Sequence, residues 1–529
     1  MLGGRLLASA CVSATFANIS LPGAEILSTN ARLVTNFSAT GLSAYRFTQP
    51  TRQLTNATFC NVTITYTHPG QDDEIGVETW LPVNNWNNRF QAVGGGGWVA
   101  GRFFLSYGNM YGALADGYAT STTDAGLLPL GSLEASTWAL ASPGNVNLYN
   151  LNNLASVSLN DQALISKSVI KRFYGKGADY SYWNGCSQGG RQGLMLAQRY
   201  PNAYDGIAAG APAINWVEFL PSIQWPQQVM NEMNQYPFSC ELDALTAAAI
   251  SVCDSLDGVE DNIIGEAVEC LNQFDPFSMV GTTIYCNQTD NNIDISKAAA
   301  VVVNATWNGM VTENGKSTWF GVLPGSDLTG TSPASYGQPG IAATNCTSGS
   351  CVGLPSVLGL QWLQLFVVKD PKFDFTTLTR KQFDRLAHLS KSVYDSVIGT
   401  SDPDLSSFRE AGGKLVTFHG IADNIIPIQG SEQYYNAVNL TVGTVRDFYR
   451  YYEAPGLGHC FGGRAGQPTS LFDQLRAWVE NGTAPESSPY TITDQTGATQ
   501  NRILCPYPEK AVFDTTCRDS AKATCFSCA

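Results

Sequence analysis

Apolar and polar positions follow two different patterns along the chain. Short apolar runs predict β-strands, and stretches with apolar positions three and four residues apart predict helices. Strands and helices alternate before residue 213 and again after residue 402, which is typical of a mostly parallel sheet covered by helices. The predicted strands are 77–82, 89–93, 117–122, 180–183, 206–210, 413–420 and 448–452, and the predicted helices are 158–174, 189–200 and 381–390, with the end of another at 111–116.

The middle of the chain has a different character. Six of the 14 cysteines crowd into it, and segments rich in Gly, Ser, Thr and Asn run from 304 to 354. We therefore predict a split core formed by residues 1–212 and 403–529, into which residues 213–402 are inserted.

Uncharged polar residues must form most of the surface. Charged residues make up only 14% of the 529 residues, against about 25% in ordinary globular proteins. The formal net charge of −14 argues against nucleic acid or an anionic membrane as a partner. No apolar run reaches the ~20 residues that a membrane-spanning helix needs.

Cysteines and glycosylation sequons indicate the compartment. Nine Asn-x-Ser/Thr sequons accompany the 14 cysteines, which predicts a secreted, disulfide-bonded glycoprotein. The N-terminal segment leaves two interpretations open. Either a signal peptide is cleaved near Ala17, or the start is shortened and Cys11 stays in the mature protein, free to pair with Cys60.

A candidate nucleophile lies between the predicted strand 180–183 and the predicted helix 189–200. Gly185, Ser187 and Gly189 form Gly-x-Ser-x-Gly, the pattern of the nucleophile elbow in α/β-hydrolases. In such an elbow, side chains two positions before and after the serine would clash across the turn. The pattern is weak in a chain with 51 glycines, but its place between strand and helix favours Ser187 as the nucleophile of an α/β-hydrolase core.

One of the four histidines suits the general base. His459 lies in a Gly-rich loop beyond the last predicted strand, from which an imidazole can reach over the serine. The acid of an α/β-hydrolase triad comes between serine and histidine in the sequence, and Asp423, just after the strand 413–420, meets that condition. His419 either lines the site or lies in the core.

Two backbone N–H groups are expected to bind the oxyanion of a tetrahedral intermediate. One belongs to Gln188, the residue after the nucleophile. The other is predicted in the Gly-rich segment 94–97, where Gly95 and Gly96 are the candidates; the sequence does not decide between the glycines.

Three aspartates lie close together in the inserted segment. Hard cations such as Ca²⁺ bind ~6–8 oxygens. Asp254, Asp257 and Asp261 offer carboxylates, and the carbonyls of Val259 and Ile263 can complete the shell. The spacing is not that of an EF-hand, and the residues alone leave a calcium site and a solvated turn equally open.

These motifs together resemble the fungal tannase and feruloyl esterase family, over nearly the whole chain from Cys11 to Cys528. The most specific marks are Gly-Cys-Ser-Gln-Gly-Gly-Arg-Gln-Gly at 185–193, His-Gly-x-x-Asp-x-x-Ile-Pro ending at Pro427, and Gly-His-Cys at 458–460. The resemblance implies an α/β fold with an α/β-hydrolase core and a large inserted lid domain.

The resemblance also implies site residues. The catalytic triad would be Ser187, Asp423 and His459, beside a Cys186–Cys460 disulfide that joins the neighbours of nucleophile and base. A Cys253–Cys270 disulfide and a Ca²⁺ cofactor in the lid are implied as well. The implied Ca²⁺ ligands are Asp254, Asp257, Val259, Asp261 and Ile263.

The activity implied is that of a secreted carboxylic ester hydrolase acting through an acyl-enzyme. Its substrates would be phenolic esters, either small molecules or linked to plant cell-wall polysaccharides. Feruloyl (hydroxycinnamate) esters are favoured, and galloyl esters, the substrates of a tannase, are the alternative. A catalytically silent binding protein on a hydrolase scaffold is disfavoured because all three triad residues are present. Lid aromatics either form an acyl pocket or belong to the core: Trp216, Phe219, Trp225, Trp362 and Phe366.

Overall fold

The computed structural model describes residues 2–347, 349–494, 496–517 and 519–529. Within them, nine strands form one sheet in the spatial order β1-β2-β3-β5-β4-β6-β7-β8-β9. The strands are β1 Glu25–Gly41, β2 Arg52–Thr67, β3 Ile75–Pro82, β4 Arg89–Val93, β5 Ala119–Thr123, β6 Tyr180–Cys186, β7 Gly206–Gly210, β8 Lys414–Gly420 and β9 Tyr449–Ala454.

The sheet is parallel where the candidate site lies and antiparallel at one edge. Strands β5, β4, β6, β7, β8 and β9 run parallel, while β1, β2 and β3 are antiparallel to their neighbours. Almost every residue of β6, β7 and β8 is buried, as expected of parallel strands covered on both faces. The predicted α/β-hydrolase fold is confirmed.

The hydrophobic pattern misses β1 and β2. Most side chains of β1 are exposed or half-buried, so the strand carries no clear apolar alternation. It is held instead by its long antiparallel pairing with β2, which is buried mainly in its second half. Other predictions match closely: strands 89–93 and 206–210 and helix 158–174 have the predicted bounds.

Helices pack on the sheet on either side of the insertion. α3 packs against β6 and β7, α5 against β7 and β8, and α2 against β3 and β5. The core helices are α1 Phe104–Ala115, α2 Ser158–Tyr174, α3 Gln188–Arg199, α4 Gln429–Val442 and α5 Leu471–Asn481, and a short helix, Leu2–Ala10, precedes β1.

The segment between β7 and β8 is mainly helical. Its described residues add no strand to the central sheet. Its buried side chains join the same apolar cluster as those under the sheet, so lid and core pack continuously. Independence of residues 213–402 as a domain stays a prediction. The main helices are Trp216–Ser222, Trp225–Met233, Ser239–Cys253, Ala267–Gln273, Lys297–Asn308 and Arg380–Tyr394, and the strand pairs are Thr283–Cys286 with Asn291–Asp294, Met310–Val311 with Ser317–Trp319, and Thr344–Thr347 with Ser350–Gly353.

The C-terminal segment adds two hairpins and completes a set of seven disulfides. The hairpins pair Ser488–Thr493 with Thr499–Leu504 and Ala511–Phe513 with Phe526–Cys528. The disulfides join Cys11–Cys60, Cys186–Cys460, Cys240–Cys286, Cys253–Cys270, Cys346–Cys351, Cys505–Cys528 and Cys517–Cys525. The helices of the described residues are all too short or too polar to cross a bilayer.

Candidate active site

Ser187 occupies a strained turn between β6 and α3. Its φ of 61° and ψ of −123° lie in a region that few residues other than glycine adopt. The Ser187 N–H donates to the Gly210 carbonyl at 3.0 Å, which ties the turn to the end of β7. A Cβ atom on Gly185 would lie 2.6 Å from the backbone of Gly189, so the turn requires glycine there. This is the geometry of a nucleophile elbow.

Asp423 and His459 meet beyond the ends of β8 and β9. His459 Nδ1 lies 2.8 Å from Asp423 Oδ2. Asp423 Oδ1 accepts the backbone N–H groups of Ile425 and Ile426 at 2.9 and 2.8 Å. Both side chains are buried. Because Nδ1 is held by the carboxylate, Nε2 is left to exchange protons with a nucleophile.

A disulfide brings this pair to the serine. Cys186 precedes Ser187, Cys460 follows His459, and the two cysteine Cα atoms are 6.0 Å apart. Within the described residues the Ser187 hydroxyl makes no hydrogen bond to His459. Such contacts are often long in free hydrolases and tighten when substrate binds.

Opposing effects act on the Asp423 carboxyl. Burial raises its pKa, but the charge of His459 and the hydrogen bonds from His419 and His459 outweigh burial and hold the pKa below the ordinary value. The carboxylate is therefore ionised at any pH at which the histidine can act as a base.

The predicted oxyanion loop needs a correction. The Gly95 N–H donates to Gln192 Oε1 at 2.9 Å, and the Gly96 N–H donates to the Val99 carbonyl at 3.0 Å. Neither of these two predicted donors is free in this structure. Gly97, at φ 56°, is the glycine of the segment to which the described residues offer no acceptor.

The other predicted oxyanion donor is well placed. Gln188 is the first residue of α3. The first N–H groups of a helix lack intrahelical acceptors and carry the positive end of the helix dipole. The Gln188 N–H therefore suits a developing negative charge beside Ser187.

Comparison with known proteins identifies the family. The family model described as tannase and feruloyl esterase matches residues 60–529. The chain belongs to the tannase and feruloyl esterase family. Members of this family are carboxylic ester hydrolases, which confirms the predicted class of enzyme.

Both feruloyl esterases and tannases are found among the individual relatives. A probable feruloyl esterase of Arthroderma benhamiae is 40% identical over 468 residues, covering 87% of this chain and 84% of the relative. A tannase of Aspergillus oryzae is 28% identical over 511 residues, covering 86% and 83%. The solved structure of a tannin acyl hydrolase from Aspergillus niger superimposes with a TM-score of 0.81 at 28% identity, covering 99% of this chain and 94% of that one.

Lid residues that no motif marks hold the loops of this tannase and feruloyl esterase family site. Gln338 Nε2 donates to the His459 carbonyl at 2.8 Å, and Ser326 Oγ donates to the Asp423 carbonyl at 3.1 Å. Asn424 Nδ2 donates to the Pro339 carbonyl at 3.1 Å. These contacts join positions about a hundred residues apart, so neither spacing nor periodicity signals them.

An open cleft of about 810 Å³ lies beside the histidine loop. Tyr336 and Gln338 line it from the lid, and Asn424, Gly458 and Phe461 line it from the core. Tyr336 is 74% exposed, and its ring centroid lies 6.3 Å from that of Phe461. None of Ser187, Asp423 and His459 lines this cleft, but Gly458 and Phe461 place it beside the loop that carries the histidine.

Of the two roles left open for the lid aromatics, their burial supports the core. Trp362 and Phe366 are fully buried and stack at 5.0 Å, and Trp98 stacks on Phe366 at 5.4 Å. Trp216, Phe219 and Trp225 are buried as well. The rings of Trp98, Trp362 and Phe366 cover one another, and burial leaves none of the five lid aromatics open to a phenolic ring.

The aspartate loop of the lid has both satisfied and unsatisfied oxygens. Asp254 Oδ1 accepts the N–H groups of Asp261 and Ile263, and Asp257 Oδ1 accepts that of Val259. Asp261 Oδ2 pairs with Arg502 at 2.8 Å, whereas its buried Oδ1 has no partner among the described residues.

Negative charge is concentrated on this aspartate loop. Burial, with the nearby charges of Asp261 and Asp254, raises the pKa of Asp257 to about 6. Within the described residues no three acidic, His or Cys side chains are already arranged to hold a metal. The oxygens suit a hard cation, which would have to draw the carboxylates together.

Proposed function

We propose that this protein is a feruloyl esterase that cleaves hydroxycinnamate esters through a serine acyl-enzyme. The observation that carries the proposal is the strained Ser187 elbow, joined by the Cys186–Cys460 bond to a histidine that is held by a buried carboxylate. The 40% identity to a probable feruloyl esterase supports the choice of acyl group.

The proposed chemistry assigns one task to each group. His459 Nε2 takes the proton of Ser187 as its Oγ attacks the ester carbonyl. The Gln188 N–H and, in our proposal, the Gly97 N–H bind the oxyanion. His459 then protonates the leaving alcohol, and water activated by the same imidazole releases the phenolic acid.

Substitution of Ser187 tests the mechanism. We expect Ser187→Ala to lower kcat for methyl ferulate by about 10⁵-fold or more, since a triad acts as a unit. Ser168→Ala on the exposed face of α2 is the matched control and should keep wild-type rates. A fluorophosphonate should label the wild type and not Ser187→Ala. A wild-type protein that is neither labelled nor active would instead be a silent binding protein.

Galloyl esters are the second candidate substrates. The tannase of Aspergillus oryzae at 28% identity and the TM-score of 0.81 to a tannin acyl hydrolase favour them. Side-by-side kcat/KM on methyl ferulate and methyl gallate decides between the two. A ratio above tenfold for ferulate is expected, and a ratio in favour of gallate would make the protein a tannase.

We further propose an extracellular protein that also accepts esters linked to polysaccharide. Seven disulfides suit an oxidising compartment, and nine sequons suit a glycoprotein. Because the leaving alcohol must lie beside His459, the neighbouring cleft offers room for attached sugars. Tyr336→Ala should then raise KM for a feruloylated oligosaccharide and leave KM for methyl ferulate unchanged; equal effects on both substrates would contradict this role.

We also propose that the lid binds Ca²⁺ through Asp254, Asp257 and Asp261 with the carbonyls of Val259 and Ile263. The unpaired Asp261 Oδ1 and the raised Asp257 pKa support it, because a cation would relieve both. Its role is structural, since the loop contributes no group to the reaction.

Calorimetry tests this proposal without an activity assay. Ca²⁺ added to chelator-treated protein should bind one-to-one and raise Tm, and Asp257→Asn should abolish both effects. Glu410→Gln, an exposed acidic position, is the control. Absence of binding to the wild type would leave Arg502 as the partner that neutralises this loop.

A further inference from the structure

A second histidine contacts the carboxylate of the site. His419, the penultimate residue of β8, is fully buried, and its Nε2 lies 3.1 Å from Asp423 Oδ2. The same oxygen accepts from His459 Nδ1 at 2.8 Å. One carboxylate oxygen is therefore shared by two imidazoles.

The partners of His419 define its tautomer. Nε2 also lies 3.2 Å from the Ile426 carbonyl, so it faces two acceptors and must carry a hydrogen. Nδ1 lies 2.9 Å from Ser431 Oγ, a hydroxyl that can donate. The arrangement is a relay in which Ser431 donates to Nδ1 and Nε2–H donates to Asp423.

We propose that His419 is a positioning residue of the esterase. Its Nε2–H fixes Asp423 Oδ2 where it meets His459, and Ser431 keeps His419 in the required tautomer. The inference rests on the proposed function, because it assigns a role to His419 only if Asp423 is the triad acid. His419 itself touches neither the substrate nor Ser187.

Removal of this donor should change the base. Asp423 Oδ2 would then be shared with no other imidazole, so it would bind the imidazolium form of His459 more strongly. The acidic limb of kcat/KM should therefore move to higher pH, and kcat should fall because the carboxylate is less well fixed. Two further acids face His419: Glu453, its partner across the β8–β9 ladder, and Glu432 on α4.

The test compares His419→Leu, His419→Gln and Ser431→Ala with the full-length wild type. Rates are measured from pH 4 to 9 on methyl ferulate and p-nitrophenyl acetate and divided by active sites titrated with a fluorophosphonate. His419→Leu should lower kcat about 10- to 100-fold, the effect of one charge-assisted hydrogen bond, with KM within about twofold. Its acidic limb should rise by about half a pH unit to one unit.

The other variants separate positioning from packing. Gln can place an N–H near the position of Nε2. His419→Gln should therefore keep most of the wild-type kcat and return the acidic limb of kcat/KM to its wild-type pH. Ser431→Ala should give a smaller loss in the same direction. Glu453→Gln should leave the acidic limb of kcat/KM within a few tenths of a pH unit of the wild type. That result would exclude the titration of Glu453 as the source of the limb.

Each outcome bears on one proposal. The positioning role would be overturned if His419→Leu kept the wild-type kcat and the wild-type acidic limb of kcat/KM. It would also be overturned if His419→Gln lost as much kcat as His419→Leu. If His419→Leu does not fold, His419→Gln and Ser431→Ala decide: an equal loss of kcat in both, with the acidic limb of Ser431→Ala unchanged from the wild type, would make the relay merely structural. Failure of the wild type to hydrolyse either ester would overturn the proposed function itself.

Discussion

Single residues carry the strain of this site, and Gly185 shows how little room the elbow leaves. Ser187 is held at a φ of 61°, and a Cβ on Gly185 would meet the Gly189 backbone, which cannot move without displacing α3. A Gly-x-Ser-x-Gly pattern predicts this contact from sequence, because the clash is local. The oxyanion donor among the glycines of 94–97 could not be chosen from sequence, because the Gly95 N–H finds its acceptor in the distant Gln192 side chain and the Gly96 N–H closes a turn on Val99.

Gly185→Ala tests the elbow at this scale. We expect the free energy of unfolding to fall by about 1–3 kcal/mol through overpacking, and kcat to fall far more because Ser187 is displaced. Gly177→Ala is the matched control, since a Cβ there meets nothing within 4 Å. Thermal unfolding and methyl ferulate kinetics of both variants give the comparison. Wild-type kcat in Gly185→Ala would mean that the elbow can relax without moving its nucleophile.

Strands and helices whose burial leaves a hydrophobic pattern in their own sequence were predicted well. β7 and α2 have the predicted bounds because fully buried strands and amphipathic helices leave a local pattern. β1 has none, since most of it is exposed and it is held by its pairing with β2. The contacts of Ser326 and Gln338 with the triad loops could not be predicted either, because they arise only when the lid packs on the core.

The Cys186–Cys460 bond ties the elements that carry nucleophile and base, and its removal should separate activity from stability. It closes a sequence separation of 274 residues, worth roughly 5–6 kcal/mol in the chain-entropy view. At low temperature, where Cys186→Ala/Cys460→Ala stays folded, kcat per folded molecule should still fall by at least tenfold, because the histidine loop loses its anchor. Cys240→Ala/Cys286→Ala removes a lid bond with a separation of 46 and should lower Tm without that loss. Equal kcat in both double variants would show that the Cys186–Cys460 bond contributes to stability and not to catalysis.

The whole molecule combines a net charge of −14 with buried carboxyls whose pKa values are shifted in opposite directions. Asp423 has a lowered pKa, so its contribution to stability is present at neutral pH and is lost in strong acid. Glu453 behaves in the opposite way. Burial, followed by the charge of Glu432, raises its pKa from 4.5 to about 8. The folded protein therefore holds a proton there that the unfolded chain releases.

The sign of this linkage predicts the pH dependence of stability. Between pH 4.5 and 8 the folded state binds more protons at Glu453 than the unfolded state does, so the free energy of unfolding should fall as pH rises through that window, by a few kcal/mol. Tm should be highest near pH 5 and decline towards pH 8. Glu453→Gln keeps a neutral side chain of the same shape and should flatten the decline, whereas Glu269→Gln, at a fully exposed site, should not. Chelator is present throughout, so that cation binding at the Asp257 loop does not contribute. A decline unchanged in Glu453→Gln would show that another buried carboxyl, such as Asp257, is its source, and a Tm that rises from pH 5 to 8 in the wild type would contradict the raised pKa of Glu453.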